Sequence, residues 1–221
     1  MWAYYDRRVA HREPGPENVF SYFRGLGVDA DLEAITAELR EVKFLLNELP
    51  STSFLDLGAG PSGAFTRDLP GRGLALDQSA AALQSLRVAV PSVALIRADA
   101  THVPVLDKVV GRVFLAHLYG LLLPDERDAL IREASRIGHE IVILDSGRPA
   151  GARPEEWQTR TLPDGTDYPI FRRHFDVGTL LGEVGGDPLF NGQYFVMIRV
   201  KTPRQHPGWP QPGSRTPLRH R

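Results

Sequence analysis

The stretch Leu55-Asp56-Leu57-Gly58-Ala59-Gly60-Pro61-Ser62-Gly63 holds the residue types best suited to cradling a ligand. Gly58, Gly60 and Gly63 form a G-x-G-x-x-G spacing. In such a turn the first glycine permits a tight bend, the second lets a ligand approach the backbone, and the third lets helix and strand pack closely. Asp77 stands 19 residues beyond Gly58, at the end of the next apolar run. A carboxylate there can accept both hydroxyls of a ribose. These features alone would suit a nicotinamide or flavin dinucleotide. Asp56, just before the glycines, argues against one. A pyrophosphate within about 5 Å of it would meet repulsion of roughly 3 kcal/mol per charge pair at an effective dielectric of 20. A ligand carrying an ammonium and a sulfonium would be attracted instead. The plainer role for Asp56 is to cap the turn that follows it.

The surrounding elements must place these residues together. Leu32, Ile35, Leu39, Val42 and Leu46 recur at steps of three and four, so residues 29–49 read as an amphipathic helix ending before Pro50. The period then changes. Residues 53–57, 73–77, 93–97, 110–116 and 140–144 are short apolar runs of strand length. Helices are expected between them: about 62–69, from a Ser79 cap to Pro91, and from Pro124 to Gly138. This alternation implies βαβ units and a parallel sheet covered on both faces. A short helix is expected at about 176–184 and a late, antiparallel strand at 193–200.

The segment LDLGAGPSG resembles the first motif of class I S-adenosylmethionine-dependent methyltransferases. By that resemblance, Asp56, Gly58, Ala59, Gly60, Ser62 and Gly63 would hold the methionine part of S-adenosyl-L-methionine. Asp77 in ALDQS matches the family's ribose-binding acid, with Gln78 beside the adenine. Ala98-Asp99-Ala100 matches the third motif, which puts Asp99 and Ala100 near the adenine. Residues 113–121, VFLAHLYGL, resemble the fourth-strand motif beneath the transferred methyl and add His117 to the cofactor-binding set. The motifs occur in family order across residues 50–146. The resemblance implies a Rossmann-like doubly wound α/β sheet of about seven mostly parallel strands with a late antiparallel strand. It divides the chain into an N-terminal helical cap or lid (1–49), the methyltransferase domain (50–202) and a tail (203–221).

Methyl transfer is an in-line displacement, so alignment supplies much of the acceleration. A base is needed only when the acceptor must lose a proton. His117 is the candidate catalytic base, because imidazole titrates near neutrality; shaping the cofactor pocket is its other reading. Tyr119 could share either role. Tyr4-Tyr5-Asp6 resembles the aromatic opening of many small-molecule methyltransferases, which would make Tyr5 part of a lid over the cofactor. The second Tyr-Asp pair usual there is replaced by His11-Arg12-Glu13. Residues 147–175 would form the acceptor pocket; Arg172 and Arg173 could bind a carboxylate there or lie solvated on the surface. His102, His139 and His174 lack metal-ligand spacing, so no metal is expected.

Composition narrows the partners. A net charge of −1 gives no global field toward nucleic acid, and the fourth motif lacks the signature of nucleic-acid amino methylases, so a small-molecule acceptor is favoured. No cysteine is present and no apolar run reaches membrane-spanning length, which suits a cytoplasmic protein, monomer or homodimer. Residues 203–221 contain five prolines, four arginines and no acid, the composition of a disordered tail. Two other functions remain open to the sequence: a non-catalytic subunit with a methyltransferase fold, and a dinucleotide-dependent oxidoreductase.

Overall fold

A computed structural model describes residues 16–162 and 164–202. Two helices come first, α1 (Pro16–Gly25) and α2 (Leu32–Asn47). The alternating part follows as β1 (Phe54–Leu57), β2 (Gly73–Asp77), α3 (Ala80–Ala89), β3 (Ala94–Arg97), β4 (Val110–Ala116), α4 (Pro124–Ile137) and β5 (Gly138–Ser146). A two-stranded hairpin, β6 (Glu155–Thr161) and β7 (Asp167–Arg173), stands apart from the main sheet. The chain closes with α5 (Val177–Val184), β8 (Asp187–Asn191) and β9 (Phe195–Lys201).

The main sheet has seven strands in the order β3-β2-β1-β4-β5-β9-β8. Neighbours from β3 to β5 pair in parallel, and β9 runs antiparallel between β5 and β8. This is the Rossmann-like arrangement expected from the sequence. Strand order reverses between β1 and β4, so the two connections leave in opposite directions and open a crevice at the carboxyl ends of those strands.

Alternation along each central strand supplies both faces of the sheet. Leu55, Leu57, Val113, Leu115, Ile141 and Ile143 share one core cluster with Leu130, Ala134 and Ile137 of α4. Phe54, Phe114, Val142 and Leu144 share the other with Phe23 of α1 and with Ile35, Val42 and Leu46 of α2. Most of these side chains are fully buried, and each contributes about 1.5–3 kcal/mol of transfer free energy. The helix start foreseen from the Ser79 cap is present: Ser79 accepts from Ala82 N at 3.0 Å. Asp31 caps α2, accepting from the amides of Glu33 and Ala34.

Two segments differ from the sequence reading. Residues 62–69 form turns and a single 3-10 turn at Thr66–Asp68 instead of an α-helix. Gly63 has φ +56°, outside the helical region, and the side chain of Thr66 is drawn inward to Asp56. Residues 155–173 are a hairpin where only an irregular acceptor region was expected. Its strands bury few residues, so alternation is faint in the sequence.

The start of β9 is clamped by α2. Glu38 accepts from three successive amides, Gln193 N at 2.7 Å, Tyr194 N at 2.9 Å and Phe195 N at 3.1 Å. Tyr194 in turn accepts the Asp31 amide at 2.8 Å. Without Glu38 these donors would depend on water, and charge-assisted bonds of this kind contribute about 1.5–3 kcal/mol each where shielded. Glu38 is half-buried, so Glu38→Ala is expected to lower unfolding free energy by about 2–3 kcal/mol in urea titration. A loss under about 0.5 kcal/mol would mean that water replaces the carboxylate.

Candidate functional site

The glycine turn sits at the carboxyl ends of β1 and β2, on the β1 side of the crevice. The amides of Gly58 and Ala59 both donate to Leu76 O, at 2.8 and 3.0 Å, which bends the chain sharply out of β1. All three glycines have positive φ, from +56° to +72°. What a side chain would meet differs at each. A Cβ on Gly58 would lie 3.1 Å from Leu118, and one on Gly63 would collide with Val90 at 2.4 Å and Leu86 at 2.8 Å. A Cβ on Gly60 would meet nothing within 4 Å. Gly63 therefore allows close packing on the end of α3, and Gly60 borders open space. Ser62 Oγ accepts the Ala64 amide at 3.3 Å, so it stabilises the loop locally.

Two carboxylates flank this turn. Asp77 Oδ2 accepts the Gly60 amide at 3.0 Å and Oδ1 accepts the Ser79 amide at 2.9 Å, so the acid sets the loop's shape. Asp56 is buried, and its Oδ2 accepts the Thr66 hydroxyl at 2.6 Å. Its Oδ1 has no partner among the described residues. Burial, opposed by the Thr66 hydroxyl and reinforced by the charge of Asp77, pushes the Asp56 carboxyl up to about 7. A buried acid with one idle oxygen beside a second acid is a cation receptor by its chemistry.

The remaining residues of the expected cofactor set lie along the same strand ends. Gln78 O accepts from Arg97 Nε at 3.0 Å. Asp99 is exposed just past β3, and its Oδ1 accepts both the amide and the hydroxyl of Thr101 at 2.8 Å. Ala100 points into the core with Val103 and Leu118, leaving only its backbone for a ligand. Tyr5 and the tail 203–221 lie outside the described residues.

Across the crevice, His117 follows β4 with φ +53°, and its amide donates to Leu144 O at 2.8 Å. Its ring lies 5.8 Å between centroids from both Phe65 and Phe195. Nδ1 is 3.3 Å from Ser146 Oγ and 3.8 Å from Asp145 Oδ1. Tyr119 is turned away. It is buried, it donates to Glu183 at 3.0 Å, and burial and the Glu183 charge push its hydroxyl well above the ordinary tyrosine value. It cannot share the role of His117. The two arginines also depart from a solvated reading. Arg172 is buried and donates to Ser146 Oγ, while Arg173 bridges Glu155 and Glu183.

A polar wall beside His117 was foreseen only in part. His174 Nδ1 lies 2.9 Å from Arg153 O, which can only accept, so the proton is on Nδ1. Nε2 then accepts from Tyr22 Oη at 2.6 Å, and Gln158 Nε2 donates back to Tyr22 Oη at 3.1 Å. The guanidinium groups of Arg160 and Arg172 lie over the Tyr22 ring at 5.1 and 5.7 Å. Burial and the Arg172 charge hold His174 below the ordinary histidine value. Arg172 and His174 fall in the 147–175 region expected to line the acceptor pocket, and Ser146 was visible in principle as the last residue of a strand whose carboxyl end borders the crevice. Tyr22 on α1 and Gln158 and Arg160 on the hairpin were not foreseen as site residues.

Residues 55–140 match the family model described as a methyltransferase domain. That segment of the chain is similar to a methyltransferase domain. Solved structures agree on the fold. A complex of DhpI with SAM and HEP is 21% identical with a TM-score of 0.65, over 89% of this chain and 94% of that one. The PH0226 protein of Pyrococcus horikoshii is 13% identical with a TM-score of 0.60, over 83% and 99%. The glycopeptide N-methyltransferase MtfA is 19% identical with a TM-score of 0.54, over 76% and 90%. No curated protein matches the sequence. The glycine turn, Asp56, Asp77, Asp99 and His117 all fall inside the matched residues.

The state of Asp56 makes a checkable statement about stability. Unfolded, it titrates near 3.8; folded, at about 7. A folded value above the unfolded one contributes stability that is complete below about pH 4 and is lost as pH rises through 7. Asp56→Asn keeps an acceptor for Thr66 and removes that loss. The unliganded variant is expected to melt several degrees above the parent at pH 8, a gain of about 2–4 kcal/mol, and to converge with it near pH 4. Equal melting temperatures at pH 8 by circular dichroism would show that the buried carboxylate is not destabilising.

Proposed function

We propose that this protein transfers the methyl group of S-adenosyl-L-methionine to a small-molecule acceptor. One observation carries the reading: Asp56 buries an idle carboxylate oxygen beside the glycine turn and within the field of Asp77. That arrangement repels a diphosphate and attracts a cationic nucleoside. When bound, the cofactor supplies a methyl group on a sulfonium, already activated toward nucleophiles.

The chain's own residues then divide the work. Asp56 faces the cofactor's ammonium, and Gly58, Ala59, Gly60, Ser62 and Gly63 provide backbone that a ligand can approach closely. Asp77 presents its carboxylate to ribose hydroxyls, with Gln78 adjoining. Asp99 and the backbone of Ala100 edge the adenine side. His117, Phe65 and Phe195 form the boundary with the acceptor, and Tyr22, Gln158, Arg160, Arg172 and His174 form its polar wall. Tyr5 would join as part of a lid. Support for a small acceptor comes from the mixed aromatic and polar character of this wall and from MtfA, which is a glycopeptide methyltransferase of the same fold.

Calorimetry with S-adenosylhomocysteine tests the reading. The parent is expected to bind with micromolar affinity, and Asp77→Ala to bind at least 10-fold more weakly, about 1.4 kcal/mol or more. Absence of heat in both, with saturable binding of NADH followed by fluorescence, would replace it with the dinucleotide alternative.

A further inference from the structure

We propose that Asp145 is a positioning residue that fixes the proton of His117 on Nδ1, leaving Nε2 as the base for an acceptor hydroxyl or amine. The inference rests on the methyltransferase reading above and names the class of acceptor for the same site.

The backbone begins the argument. A non-glycine residue in the left-handed region costs on the order of 1 kcal/mol and persists where its surroundings impose it. His117 is so held, by its amide bond to Leu144 O at 2.8 Å. The consequence is a ring turned toward the end of β5, with Nδ1 3.3 Å from Ser146 Oγ and 3.8 Å from Asp145 Oδ1. The side chain keeps 30% of its surface exposed, at the carboxyl ends of β4 and β5.

Which nitrogen holds the proton decides what His117 can do. If the Ser146 hydroxyl donated to Nδ1, the proton would sit on Nε2 and the ring could only donate toward the crevice. Arg172 donates to Ser146 Oγ and occupies one of its lone pairs, and the second can accept from Nδ1. The carboxylate settles the choice. Asp145 is fully buried yet held below the ordinary carboxylate value: the upward push of burial is outweighed by His117, Arg172 and the Gly120 amide. Its oxygens accept the amides of Gly120 at 2.8 Å and Ser146 at 2.7 Å, and Arg172 lies 3.6 Å away. A fixed negative charge on that side of the ring draws the proton to Nδ1.

The step this prepares is balanced. A neutral acceptor uses its lone pair to form a bond to the methyl carbon as the carbon–sulfur bond breaks, and sulfur keeps that electron pair as a neutral thioether. The acceptor's O–H or N–H proton passes to Nε2. The resulting imidazolium faces Asp145, which offsets its charge. An acceptor already ionised would gain nothing from this arrangement.

The test is the tautomer of His117 in unliganded protein labelled with 15N-histidine, read from long-range proton–nitrogen spectra at pH 8 and assigned by the signal lost in His117→Gln. The parent is expected to show Nδ1 protonated. In Asp145→Asn the protonated-type resonance is expected to move to Nε2 or to divide between the nitrogens. Ser146→Ala, which leaves the carboxylate in place, is expected to retain the parent tautomer and guards against misfolding of the aspartate variant. An Nε2-protonated parent overturns the proposal, as does an unchanged tautomer in folded Asp145→Asn or a lost one in Ser146→Ala. Calorimetry with S-adenosylhomocysteine on the same samples separates the two levels: no binding by the parent defeats the methyltransferase reading, whereas binding with the wrong tautomer defeats only this inference.

Discussion

A carboxylate buried without a full set of partners is the constraint on which this molecule's site depends. Asp56 lies on β1, in the middle of the sheet, on a face it shares with the buried apolar side chains Phe54, Phe114, Val142 and Leu144. Folding alone would favour a hydrophobe there, since one desolvated oxygen opposes the native state. The surrounding architecture tolerates it because the two core clusters bury enough apolar surface on either face of the sheet. A natural sequence that retains such a residue breaks a local rule, and such breaks concentrate where a ligand completes the structure.

The sheet was legible because its physics is local. Runs such as Val113–Ala116 and Ile141–Leu144 are apolar on both faces, so they read as central parallel strands without reference to anything distant. The cap at Ser79 marked a helix start through a side chain meeting an amide three residues away. The hairpin was not legible for the opposite reason. Its residues Glu155–Thr161 are mostly polar, and what orders them is pairing with Asp167–Arg173 and contact with Tyr22 of α1, more than a hundred residues away. The turn after Gly63 misled because its apolar residues suit a helix while Thr66 bonds Asp56 instead.

The candidate site divides along the same line. Its cofactor side is carried by one short motif and two strand-end acids, all close in sequence to the strands that place them. Its acceptor side is assembled from β4, β5, α1 and the hairpin. Arg172 shows why that half was opaque. Beside Arg173 in sequence, it looks like part of a solvated pair, but alternation in β7 sends the two guanidinium groups to different partners, Ser146 for one and Glu183 for the other. Only the folded register distinguishes them.

The two buried aspartates at the strand ends have been given opposite electrostatic treatment. Asp145 is surrounded by two amides, a guanidinium and an imidazole, and its ionised form is favoured. Asp56 has one hydroxyl and a neighbouring negative charge, and its ionised form is disfavoured until something positive arrives. Groups of one type whose environments drive their protonation apart mark separate roles in a site. The compensated acid can act only on what already surrounds it, His117 among those groups. The uncompensated acid still has an interaction to make, and the open space beside Gly60 is where a ligand can approach the turn that it flanks. In the function proposed here, one carboxylate orders His117 and the other selects the charge of the incoming ligand, with the crevice between β1 and β4 separating the two tasks.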